Sequence, residues 1–119
     1  KKLARLKNLK HGFFNSSGGK SKGIYQSLNC GLSSKDLSVN VKKNLEVVKK
    51  KISNSTKNIF LLNQIHSNKL VYIDNNYKLT KKPKADAVVT NQKNLPIAVL
   101  TADCVPILIY DNKKRIVVS

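Results

Sequence analysis

The chain of 119 residues contains no methionine and no tryptophan, two cysteines, three prolines and only 6 acidic residues against 23 basic ones. Each scarcity excludes something. Cys30 and Cys104 form no short-range pair, so the dense disulfide framework of a small secreted domain is ruled out and a reducing, cytoplasmic setting is expected. No apolar run approaches the ~20 residues needed to cross a bilayer. The opening stretch, residues 1–14, carries charge but no apolar segment long enough for a secretory signal, so no membrane partner is expected. Aromatic residues make up 6% of the chain, and Arg5 and Arg115 are its two arginines. Base-edge readout and single-strand binding favour arginine and interleaved aromatics, and neither is supplied here.

What is present is lysine and apolar surface. The formal net charge is +17, and 40% of residues are hydrophobic. That apolar content separates the chain from a basic disordered tail, and the length suits one domain or part of one. The lysines are scattered or run in short blocks such as Lys49-Lys50-Lys51, which reads as solvated surface, with a charge-driven nucleic-acid-binding module as the alternative.

Periodicity then orders the chain. Val41, Leu45, Val48 and Ile52 recur at spacings of four, three and four, with lysines between them. This predicts an amphipathic helix over 38–52, with Ser38 or Asp36 as its cap. His11-Gly12-Phe13-Phe14 reads as a short strand leading into a small-residue loop at 15–23, and residues 25–32 as extended or turn structure. Strands are predicted at 59–65, 69–73, 86–90, 96–101, 105–110 and from 115 onward, with 105–110 buried and an Asx-type turn at 111–114. The lysine-rich stretch 78–84 reads as a mobile loop. A helix followed by a run of strands argues an α+β fold with a mixed or antiparallel sheet. The absence of methionine and the final strand that stops at Ser119 suggest an N-terminal piece of a longer protein.

Several residues could carry chemistry. The loop at 15–23 lacks the phosphate-loop and dinucleotide spacings, yet it could offer backbone N–H groups to an anion, aided by Lys20 and Ser21. His66 closes one predicted strand and Cys104 another. Groups delivered this way could form a thiolate–imidazole pair or two ligands of a zinc site, or could simply be packed polar and small apolar residues. Asp103 is a carboxylate in an apolar stretch, which calls for a partner or a role. Cys30 reads as packing and His11 as loop positioning.

Taken together, His11-Gly12-Phe13-Phe14, the stretch Gly18 through Gly31, Asn63-Gln64-Ile65-His66-Ser67, Ala85-Asp86-Ala87-Val88-Val89-Thr90 and Thr101-Ala102-Asp103-Cys104-Val105-Pro106-Ile107-Leu108 resemble the laccase-domain family. This family is also called multicopper polyphenol oxidase and is now regarded as purine nucleoside phosphorylases. The resemblance implies one laccase-type domain over 1–119, incomplete at its C-terminus, with a layered α/β arrangement of paired mixed sheets as in cysteine-hydrolase toxins. It implies zinc held by His66, Cys104 and a further histidine after Ser119. It also implies phosphorolysis of adenosine, inosine and methylthioadenosine, with adenosine deamination as a side activity. Catalytic roles then fall on Cys104, His66 and Asp103, and nucleoside or phosphate contacts on Asn29, Gln64, Gly18, Gly19 and Lys20. The chain departs from the family at Asn15-Ser16-Ser17, where a basic residue often stands; Lys20 is a point charge and does not reproduce a guanidinium fork. Two metal ligands without the third should bind weakly, so the chain alone is expected to be inactive. Two alternatives stay open: a cysteine hydrolase with His66 as the base for Cys104, and copper-dependent phenol oxidation. The latter suffers because copper sites of that kind need several histidines and the chain has two.

Overall fold

Helix α1 runs Ser38–Ile52, as its periodicity predicts. Its ladder starts on the Leu37 carbonyl, which accepts from Asn40 and Val41 N–H. Ser38 is therefore the first helical residue rather than the cap. Asp36 stands one residue too early, where its Oδ1 accepts the Leu37 N–H at 2.7 Å. Lysines 49–51 occupy the last turn, where positive charge complements the carbonyl end of the helix dipole. The buried residues of α1 are Val41, Asn44 and Val48, so an amide sits in the middle of the apolar stripe.

The computed structural model describes residues 3–52, 57–78, 80 and 82–119, arranged as two compact units, residues 1–54 and 55–119. The first unit holds α1, a 3-10 turn at Leu3–Arg5 and another at Gly23–Tyr25. The expected strand at 11–14 is not formed. No described residue of this unit is in a strand, so the segment has no ladder to join. Phe14 instead lays its ring over Gly12, where a Cβ would meet it at 3.0 Å and Ile52 at 3.2 Å.

The second unit contains β1 (Phe60–Leu61), β2 (Leu70–Ile73), β3 (Ala87–Thr90), β4 (Ile97–Ala98), β5 (Ile109–Asp111) and β6 (Ile116–Val118). β1 and β4 pair in parallel, and the second sheet has the order β2-β3-β6-β5. Its β2–β3 pair is parallel and its β3–β6 and β6–β5 pairs antiparallel, so the sheet is mixed, in line with the expected α+β class. Phe60, Leu62, Ile73, Ala85, Val88 and Leu95 form the core. The ring of Phe60 meets Tyr77 edge-on at 6.1 Å, a favoured aromatic geometry. The turn after β5 is of the expected Asx type: Asp111 Oδ1 accepts from Lys113 and Lys114 N–H.

Strand lengths depart from the sequence reading. β1 stops at Leu61, and Asn63 makes only an isolated bridge to Lys84. That bridge gives part of the stretch 78–84 a fixed pairing, while Leu79 and Lys81 lie outside the described residues. Residues 53–56, which follow α1, also lie outside the described residues. Residues 105–110 are not a buried strand. Val105, Ile107 and Ile109 are exposed, and only Ile109–Asp111 pairs, at the sheet edge beside β6. Pro96 and Pro106 carry no N–H for a ladder, which trims the strands around them.

Candidate functional site

The small-residue loop of the first unit is built around one buried amide. Asn44 has no solvent exposure. Its Oδ1 accepts the Lys20 N–H at 2.7 Å, and its Nδ2 donates to Ser21 Oγ, Ser27 O and Asn29 O. Ser21 Oγ donates to Asp36 Oδ2 at 2.5 Å. The same carboxylate oxygen accepts from Asn29 Nδ2, whose other bond goes to Ser34 Oγ while Asn29 Oδ1 takes the Gly31 N–H. The Ser21 hydroxyl, followed by the Asn29 and Leu37 donors, holds the Asp36 carboxyl below the usual carboxylate range against the opposing effect of burial. Gly18 and Gly23 adopt φ of +86° and +61° in open space, a conformation that favours glycine. At Gly19 a Cβ would run into the Ser27 carbonyl and the Leu28 backbone, so only glycine fits.

This network changes how the loop can bind anything. The N–H groups of Ser17, Gly19, Lys20 and Ser21 already bond to Asn15 Oδ1, Ser27 Oγ, Asn44 Oδ1 and Ser27 O. Four of the backbone amides expected to cradle an anion are thus taken up internally, and so is the Ser21 hydroxyl. The Lys20 and Lys22 side chains of the loop are both exposed. Asn29, expected as a nucleoside contact, uses its amide to hold the loop.

The second unit contains His66, Gln64, Asp103 and Cys104. Gln64 pairs both ends of its amide with one residue: Nε2 donates to Leu100 O at 2.9 Å, and Leu100 N–H donates to Oε1 at 2.8 Å. The parallel β1–β4 ladder ends at Leu61 and Ala98, and this side chain continues it where the backbone has diverged. Gln64 therefore ties the segment before His66 to the segment before Cys104.

His66 lies in a turn rather than at a strand end, with φ of +56°. For a non-glycine residue this costs on the order of 1 kcal/mol. Asp86 holds the turn: Oδ1 accepts the N–H groups of Ile65 and His66 at 3.0 and 2.9 Å, and Oδ2 accepts the N–H and hydroxyl of Ser67, both at 2.7 Å. Burial pushes the Asp86 carboxyl up, but the Ser67 hydroxyl and the three N–H groups outweigh it and leave it below its ordinary range. The sequence reading placed Asp86 inside a motif but gave it no role. The signal available was a carboxylate directly ahead of the apolar run of β3.

Cys104 is a free, exposed thiol in a bend well past β4, with Asp103 exposed beside it. Cys30 is half-buried, and burial pushes its thiol pKa up, which suits an inert packed residue better than a nucleophile. His66 is exposed. Imidazole and thiolate donors suit zinc, but no group of three or more His, Cys, Asp or Glu side chains that could hold a metal is present among the described residues.

A sequence-family profile described as multi-copper polyphenol oxidoreductase laccase matches residues 10–119. A purine nucleoside phosphorylase of Streptomyces coelicolor is 36% identical over 100 residues, covering 84% of this chain and 41% of that protein. Another, YlmD of Bacillus subtilis, is 30% identical over 113 residues, 89% of this chain and 41% of that protein. Among solved structures, a Neisseria meningitidis protein superposes with a TM-score of 0.71 at 36% identity, over 87% of this chain and 40% of the other. The chain spans about two-fifths of the length of the curated relatives it matches.

Proposed function

The chain belongs to the multi-copper polyphenol oxidoreductase laccase family, and from that premise we propose that the protein carrying it is a purine nucleoside phosphorylase. It cleaves the glycosidic bond of adenosine, inosine or methylthioadenosine with phosphate, and deaminates adenosine as a side activity. The observation that carries this reading is the Gln64–Leu100 clamp, which ties the His66 turn and the Cys104 segment into one unit. The names of the relatives supply the substrate class.

In this reading His66 and Cys104 are the donors this chain gives to a zinc ion, completed by a histidine outside these 119 residues. Zinc so held supplies a Lewis acid and lowers the pKa of a water ligand toward neutrality. Asp103, exposed next to Cys104, orients a ligand or moves a proton. The Lys20 ammonium supplies charge for phosphate, since the loop amides around it are engaged. Asn29 and Gln64 act indirectly, by holding the loop and the clamp. Gly18 and Gly19 shape the loop that carries Lys20.

The test is phosphate-dependent release of hypoxanthine from inosine by the whole protein, with and without chelator. Release that a chelator abolishes and zinc restores is the expected result. Chelator-resistant activity lost in Cys104→Ala would instead favour a cysteine hydrolase, and no release under any metal or phosphate condition would remove the phosphorylase reading.

A further inference from the structure

We infer that Asp86 is the positioning residue for His66: its carboxylate gathers the turn at 65–67 and sets the direction in which the imidazole leaves the backbone. The inference rests on the reading of His66 as a metal donor. Three successive N–H groups and the Ser67 hydroxyl converge on one carboxylate. The left-handed His66 allows this convergence, whereas in an extended strand successive N–H groups point to opposite sides. Without an anion at their centre, the three N–H dipoles would oppose one another, and the turn would relax toward a conformation with a different imidazole direction. Asp86 thus fills internally the kind of backbone nest that elsewhere takes an external anion.

The carboxylate is also rigidly based. Asp86 and Ala87 N–H both donate to Lys69 O, and Ala87 opens β3 in register with Leu70 of β2. One residue further, Val88 is fully buried. A side chain anchored on the sheet core therefore fixes a loop residue, as sites that need accurate placement require. Asparagine at this position is close in size but has one acceptor oxygen, and its amide nitrogen would face an N–H donor.

Cobalt(II) titration of the whole protein tests this, with the thiolate-to-cobalt absorption band reporting Cys104 and chelator competition giving affinity. Asp86→Asn should weaken cobalt binding about 10–100-fold, the range typical of partners that orient a metal ligand. In a His66→Ala background the same substitution should change affinity little, because a residue acting through His66 has nothing left to position. Ser67→Ala removes one of the four bonds and should lose only a few-fold; it repeats the cycle if Asp86→Asn does not fold. Wild-type affinity in both single variants, or an equal loss with and without His66, would overturn the inference. A wild-type protein that shows no thiolate–cobalt band would overturn the zinc reading itself, and the inference with it.

Discussion

At the residue scale, three polar side chains do more than their types announce. Asn44, Gln64 and Asp86 each bond to backbone groups distant in sequence. The helical period from Val41 to Val48 is plain in the sequence, yet it directs attention to Leu45, which is only half-buried, while Asn44 is fully buried. Periodicity ranks positions by apolarity and does not register an amide that is satisfied only once a loop folds over it. Asn44→Ala would strand the Lys20 N–H and the Asn29 carbonyl, whereas the Ser27 carbonyl keeps the Ser21 N–H. Leaving buried polar groups unpaired costs about 1–3 kcal/mol each, with partial relief from water. Urea unfolding should therefore show the first unit destabilised by roughly 2–4 kcal/mol, well beyond the small propensity change of an exposed helix site.

At the scale of the element, α1 was legible to the residue, Ser38–Ile52, because its signal is local: apolar spacing and intervening lysines. Its cap was less legible, since Asp36 serves the loop at 21–29 more than the helix. That loop carries a pH dependence. The folded carboxyl of Asp36 titrates below its unfolded value, so its contribution is complete above the ordinary carboxylate range and is lost as pH falls through the lower folded value. Stability of the first unit should hold on lowering the pH to the ordinary carboxylate range and fall below it, by thermal melts monitored at successive pH values. In Asp36→Asn this acid-side loss should be smaller. Apart from the segment 11–14, which forms no strand, strands were legible in place but not in length. Pairing depends on neighbours, and the stretch 105–110 reads as core although three of its side chains face solvent.

At the scale of the whole molecule, the surplus of +17 is the feature most open to two interpretations. Lysines dominate it, and Lys49 is in an ion pair with Glu46 at 2.8 Å on the helix surface. Solvated lysines bind nucleic acid through counterion release alone. Retention on a duplex DNA column should accordingly disappear by about 0.15 M salt, where exposed charges more than ~8 Å apart are largely screened. Retention at several-fold higher salt would favour the nucleic-acid-binding module.

The sequence by itself determined the α+β class, the helix and the family, because each is written in local spacing or in motifs that survive without their surroundings. Only the tertiary structure decided that Gln64 bonds across to Leu100, that four amides of the glycine loop are engaged internally, and that Asp86 holds the His66 turn. Those roles depend on which donors and acceptors meet across gaps of roughly 20 to 36 residues, and a hydrogen bond's partner is chosen by distance and angle in the folded chain rather than by residue type.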